Sequence, residues 1–554
     1  MTPQPENLRR RYTDEAFLYL PRLFQMVDRN RYSPTYGSFD RSYWHYRTMD
    51  FPCGMYQEFT LPLALAWKFP FPDNPWHGLE RVRELALAGV DFARRSSHRD
   101  GTCDDYFPYE RALGALVFSL YACTETVLLT DEPRPEFLEF FARRGRWLEN
   151  HNETGRLTNH QALAALALYN VYLLTKEERF LRASCKYVDI VRSWQSAEGW
   201  FQEYEGADPG YHTCTIAFLA KLWKKSGDER LLDLLNPAVD FAWYFMHPDG
   251  SYAGEYGTRN TYHFYPHGFE VMAPHNPRAA QIADHFLQTS LPRRTRYYND
   301  DDRMCAHYLY DWMQAYLDFS PVRSTAPLAA RAPFQKYFEK ARLYVENTPH
   351  YYAVLSLAKG GVLKVSTADG PLYSDTGFIG RTTDGQVLVS HMVDDYALTV
   401  DAPHHRFRAA GRLCRRRVKL ATPATQILFR LVNLTLGRFA PNLLRFLLQK
   451  ILIVGKPRTG YTFEREFEFL PDRFRVRTAV ECPAGAPPFE SCHLGSDATS
   501  IYVANSNVYQ RSVLLPWREL AELCRLVREN GRGEESFEVT VAQSAPSPPA
   551  EPQP

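Results

Sequence analysis

The chain has 554 residues, which at roughly 100–200 residues per domain makes two to four domains with ample core. Apolar residues make up 45% and charged residues 23%, a globular composition that excludes an intrinsically disordered chain. The 65 basic and 64 acidic residues leave a net charge of +1, which excludes a polycation built to coat nucleic acid, so no nucleic-acid partner is expected.

From about residue 8 to residue 320, apolar side chains recur at helical spacing. Helices are expected at 15–27, 56–67, 77–94, 110–129, 134–150, 159–175, 176–195, 211–226, 228–246, 277–287 and 301–319. Turn signals such as Pro72-Asp73-Asn74-Pro75 and Pro248-Asp249-Gly250 separate them. Helices of this number, joined by short loops, pack as antiparallel hairpins in a bundle, a solenoid or a closed α/α toroid. No fixed-period repeat is visible, which disfavours a regular solenoid.

The pattern changes near residue 345. Residues 351–367 read as two strands with Gly360-Gly361 at the turn, Asp384-Gly385 marks a second turn, and 461–469 and 473–480 alternate at the strand period. The expected organisation is a helical domain over 1–340, an antiparallel β-sandwich over 345–543, and a Pro-rich disordered tail over 544–554. One stretch departs from it. Residues 402–463 contain no Asp or Glu but 13 Arg and Lys. Within them a helical insertion is expected at 425–455, broken in two by Pro441. There Arg430, Arg438, Arg445 and Lys450 flank an apolar row that includes Leu428, Leu431, Leu434, Leu443 and Phe446. Such a segment either lies on an anionic membrane surface as a peripheral contact or packs on the toroid or sandwich.

The ten cysteines include no Cys-x-x-Cys pair, so they read as reduced, mostly buried thiols rather than a zinc or redox motif. The N-terminus has no apolar signal-peptide core and no run of about 18 apolar residues occurs, so the expected location is cytoplasmic. No P-loop, Gly-x-Gly-x-x-Gly or His-Glu-x-x-His motif is present, and no cofactor or metal is expected.

The chemically informative stretch begins with Thr158-Asn159-His160 at the start of one helix. It continues through Glu198-Gly199-Trp200-Phe201 to Asp208-Pro209-Gly210-Tyr211-His212 at the start of the next helix but one. Alternate helices of a toroid direct such ends to one rim, where a helix N-terminus favours negative charge and a uronate carboxylate is a natural guest. A second cluster, 257–268, contributes Arg259, His263 and His267; Pro266 argues against the two histidines sharing a helix face. A third, 104–111, contributes Tyr106 and Glu110, and with Trp200 these complete the candidate sugar-binding set. Each has a structural alternative. Asn159 could cap its helix, His160 could be a rim histidine, the second cluster a packed loop, and the third an internal ion-pair network.

The Asn159-His160 helix start, followed by Gly199-Trp200-Phe201 and the Tyr211-His212 helix start, resembles the polysaccharide lyases with an α/α toroid and a β-sandwich. Within them, the heparinase II/III-like group and the alginate lyases are nearest in kind. The resemblance implies cleavage of an acidic, uronate-containing polysaccharide by β-elimination. It also implies that Asn159 neutralises the uronate carboxylate, that His160 is its neighbour as base or second neutraliser, and that Tyr211 is base or proton donor to the leaving oxygen. Three other readings are open: a uronyl C5-epimerase, a glycoside hydrolase pairing Asp104 or Asp105 with Glu203 or Glu205, and a non-catalytic glycan-binding or assembly protein.

Overall fold

The computed structural model describes residues 5–153, 155–290, 296–297, 303–324, 326–416, 420–448, 456–497 and 509–541; the tail expected at 544–554 lies outside them.

The N-terminal helices are α1 (Pro5–Met26), α2 (Arg41–Trp44), α3 (Thr60–Lys68), α4 (Glu80–Ser96), α5 (Leu113–Thr130), α6 (Pro135–Asn150), α7 (Thr158–Thr175), α8 (Glu178–Ser193), α9 (Pro209–Ser226), α10 (Leu232–Trp243), α11 (His267–Met272), α12 (Pro277–His285) and α13 (Cys305–Asp318). Helices α3, α5, α7 and α9 are apolar nearly all round and buried, while α4, α6 and α8 are amphipathic and pack outside them. This alternation of inner and outer helices makes a toroid. The ring closes where α1 meets α13: Arg9 donates to the Tyr316 carbonyl at 2.8 Å and lies 4.1 Å from the centroid of its ring. Among the described residues, α5 is long and apolar enough to cross a membrane, but it is buried in this core.

Strands follow from Phe334, about ten residues before the change legible in the sequence pattern. A five-stranded antiparallel sheet runs in chain order through Phe334–Phe338, Leu343–Asn347, Tyr352–Ser356, Val362–Thr367 and Gly370–Asp375. Its central strands are buried on both faces. Val345, Val354 and Val362 continue the toroid core, while Tyr344, Leu355 and Leu363 pack on Phe407, Phe467 and Val476 of a second sheet. That nine-stranded antiparallel sheet includes Arg406–Arg415, Arg458–Leu470, Arg473–Glu481 and Arg532–Thr540 as successive neighbours. Its outer face carries cross-strand ion pairs such as Arg477–Glu464 and Arg475–Glu538, the polar half of the strand alternation. The chain is thus an (α/α) toroid followed by an antiparallel β-sandwich.

The insertion between Arg406–Arg415 and Arg458–Leu470 forms α14 (Pro423–Val432), a wider helical turn at Asn433–Gly437, and α15 (Pro441–Leu448). Pro441 opens α15 and so separates the two helices. Residues 449–455 of the expected insertion lie outside the described residues.

Candidate active site

Three rim segments of the toroid meet. The first is the N-terminus of α7. The second is a small hairpin, Gln202–Glu203 with Gly206–Ala207, that leads into α9. The third is the loop between Tyr252 and Tyr265. Thr158 donates to the Gln202 carbonyl at 2.6 Å, so the first turn of α7 is stitched to the hairpin. Asp208 caps α9 by accepting the Tyr211 N–H at 3.0 Å, with Pro209 in the first turn. The same carboxylate accepts the Arg259 N–H at 2.8 Å and the Thr261 hydroxyl, tying the third segment to the second. Gly210 and Gly257 permit this approach. A Cβ on Gly210 would stand 2.3 Å from the Thr261 hydroxyl, and one on Gly257 would stand 2.6 Å from Asp208.

These bonds place Arg259 on Tyr211. The guanidinium carbon lies 4.0 Å from the centroid of the Tyr211 ring and 5.2 Å from that of Tyr204. Nη1 of Arg259 reaches Glu203 at 3.2 Å, and the other oxygen of Glu203 accepts from Nδ2 of Asn159 at 2.5 Å. Asn159, Glu203, Arg259 and Tyr211 are all buried. Oδ1 of Asn159 and Nε of Arg259 are buried polar atoms without a hydrogen-bond partner. Burial pushes the Glu203 carboxyl above the usual carboxylate range, against the pull of Arg259 and the Asn159 amide. Burial likewise pushes the Tyr204 phenol up to about 12, with Arg259 opposing it.

Asn159 is not a helix cap: α7 has no side-chain cap, and one N–H of the Asn159 amide is given to Glu203. The carboxylate at this helix start is the protein's own. His160 is partly exposed, held by Glu153 at 2.9 Å from its Nδ1, with its ring on Phe118 and Gly114. The His263 ring meets that of Tyr211 edge-on at 4.8 Å, and its Nδ1 is bonded to the Tyr308 hydroxyl.

The 104–111 cluster forms another part of the rim. Glu110 accepts the N–H groups of Asp105 (3.2 Å) and Tyr106 (2.8 Å), fixing the loop rather than facing solvent. Tyr106 is 46% exposed. Arg303 lies over its ring at 4.5 Å, donates to its hydroxyl at 3.0 Å and pairs with Asp105.

Two candidates lie elsewhere. The Trp200 indole donates to Glu198 at 2.9 Å, and Glu198 also accepts the N–H groups of Lys340 and Ala341. Trp200 therefore packs at the junction with the β domain. His267 pairs with Asp318 at 2.6 Å, and its N–H meets Asp311, the partner of Lys221. Lys221 is ten residues along α9 from Tyr211, about 15 Å at 1.5 Å per residue. His267 thus belongs to the other end of the ring. Sequence reasoning missed Asp208, although its Asp-Pro start was a legible capping signal. It also missed the role of Glu203, which no local pattern marks.

Among the described residues no group of three or more His, Cys, Asp or Glu is arranged to hold a metal ion. No protein-family model matches the chain, and no curated protein is similar to it in sequence. Its fold is similar to that of the chondroitin AC lyase of Streptomyces coelicolor A3, seen in complex with chondroitin sulphate. That match has a TM-score of 0.53 at 12% identity and covers 90% of this chain and 68% of the lyase. It is also similar to a Paenibacillus xanthan lyase, with a TM-score of 0.50 at 11% identity, covering 87% of this chain and 46% of that one. The chain spans less than half the length of the xanthan lyase. It has the toroid-and-sheet fold of these two polysaccharide lyases.

Proposed function

We propose that the chain is a carbon–oxygen lyase that cleaves an acidic, uronate-containing polysaccharide by β-elimination at Tyr211. The observation that carries this reading is the Arg259 guanidinium 4.0 Å from the Tyr211 ring, in a buried setting shared with Asn159. A phenol is a poor base at its ordinary pKa near ~10. An adjacent cation favours the phenolate. Tyr211 takes the C5 proton and returns one to the leaving glycosidic oxygen. Removing a C5 proton concentrates charge on the adjacent carboxylate, which preorganised donors stabilise. Arg259 and the second N–H of the Asn159 amide supply that stabilisation, and His160 at the partly exposed edge is the further donor or base.

The likeness in fold to two polysaccharide lyases supports the class, and the heparinase II/III-like kinship of the Asn-His and Tyr-His starts remains part of the proposal. A hydrolase needs two carboxylates poised around a bond. Here Asp104 accepts the N–H groups of Tyr109 and Arg111, Asp105 holds Arg303, and Glu205 holds Lys456 at 2.9 Å. The ten free cysteines support work in a reducing, cytoplasmic compartment.

The experiment is incubation with a panel of acidic polysaccharides while ultraviolet absorbance is followed. A new absorbing double bond, lost in Tyr211→Phe, is the expected result. Deuterium uptake at C5 from heavy water without absorbance would instead establish an epimerase, and new reducing ends without unsaturation a hydrolase.

A further inference from the structure

The α14–α15 segment is a surface looking outward. Of the eighteen large apolar side chains exposed among the described residues, nine lie between positions 420 and 447. Ile427, Leu431 and Leu434 recur at helical spacing along α14 and the turn after it, and Leu443 and Phe446 along α15. Phe439, at the corner between the helices, is 83% exposed. Scattered exposed leucines are ordinary, whereas a contiguous row on one element marks a contact surface.

The segment is not loose. Its other side is fastened to the toroid rim: the Phe429 ring meets Phe107 at 5.4 Å, and Arg430 pairs with Asp50 at 3.1 Å beside the Phe51 ring. Within the segment, Leu444 and Asn433 both close on Gly437, and all three are buried. The helices are therefore held with their apolar row away from the protein.

We infer that this row docks on the surface of an anionic lipid bilayer. The charge of the segment identifies the occupant. The described part of the segment, residues 420–448, contains three basic residues, Arg430, Arg438 and Arg445, and no acidic one. Leucine and isoleucine make no hydrogen bonds to sugar hydroxyls, so the row is not a glycan platform. An exposed aliphatic and phenylalanine row on a segment that carries bases and no acid is the pattern of a helix lying in the interface of a negatively charged membrane. Phe439, the most exposed of the row, is the leading wedge, next to Arg438, whose guanidinium lies 5.7 Å from the Tyr109 ring centroid. The inference does not depend on the chemistry proposed for Tyr211, and its test reads no activity.

The full chain is sedimented with neutral phosphatidylcholine vesicles and with vesicles also containing phosphatidylglycerol, at low and at high salt. Binding to the anionic vesicles, weakened by salt, is expected. The triple variant Leu431→Ser, Phe439→Ser, Phe446→Ser should lose at least about tenfold in partitioning. Its thermal midpoint should stay near wild type, because all three side chains are exposed. Arg438→Glu, which leaves the row intact, should weaken partitioning several-fold. Failure to sediment at low salt, equal binding to neutral vesicles, or undiminished binding by the triple variant overturns the inference. So does concentration-dependent self-association without vesicle binding, which would give the face to a second copy of the chain.

Discussion

Arg259 stacks on Tyr211 because Asp208 binds both: its carboxylate accepts the N–H of Tyr211 at 3.0 Å and the N–H of Arg259 at 2.8 Å. Tyr211→Phe leaves this scaffold intact and removes only the hydroxyl. Turnover on the true substrate should fall by roughly two to four orders of magnitude, the usual worth of a general acid or base. Arg259→Lys keeps the charge but loses the planar group that both stacks and reaches Glu203, and should cost roughly a hundredfold in kcat. Steady-state kinetics on the two variants checks this; near wild-type turnover in Tyr211→Phe would remove the residue from the mechanism.

His160 is seated by an absence of volume. A Cβ on Gly114 would stand 3.1 Å from Cε1 of His160, tighter than ordinary contact, so Gly114→Ala should shift the imidazole without unfolding α5. Activity should drop in Gly114→Ala and drop further in His160→Ala, while circular dichroism and the thermal midpoint of Gly114→Ala stay close to wild type. An active His160→Ala variant would make the ring structural.

Lys359 from the β domain is buried against the carbonyls of Glu255 and Gly257 and the side chain of Asn260, the segment that carries Arg259. Burial, reinforced by Lys364, depresses its amine to about 7, with Glu255 and Asp208 opposing. An unfolded lysine titrates near ~10.4. Between those values the unfolded chain therefore binds the extra proton, and stability contributed at this site rises with pH. Below pH 7 both states are protonated and the burial penalty is constant. Urea denaturation of wild type and Lys359→Met at pH 6 and pH 9 should show wild type gaining on the variant at the higher pH. A difference that does not change with pH would show that the amine titrates normally.

Arg465 and Asp375 form a fully buried ion pair inside the sandwich, where Arg465 also donates to the Gly361 carbonyl at 2.7 Å and to the Thr478 hydroxyl at 3.2 Å. Asp375→Ala strands a buried cation and should destabilise the protein by about 3–5 kcal/mol. Arg475→Ala, which breaks exposed pairs with Glu538 and Glu468 on the outer face of the second sheet, should leave stability close to wild type. Equilibrium unfolding of the two variants separates these cases, and similar losses would contradict the burial argument.

Much of the architecture is local and was legible. Helix α7 is expected at 159–175 and found at Thr158–Thr175, because apolar spacing and a terminal change of composition are properties of a few neighbouring residues. The Gly360-Gly361 turn holds two residues at φ of +67° and +99°, the conformations that glycine adopts most cheaply. The helix His267–Met272 was missed because six residues carry too little period to read.

The sequence by itself determined that Asn159, His160 and Tyr211 open helices, since helix starts are written in adjacent residues. Only the tertiary structure decided what those side chains do there. It gave the Asn159 amide to Glu203, laid Arg259 on Tyr211, drew Trp200 to the domain junction through Glu198 and carried His267 to the far end of the ring with Asp318. A buried donor or charge must find its partner wherever the chain brings one. That partner is set by packing between distant segments, which no local pattern of residues encodes.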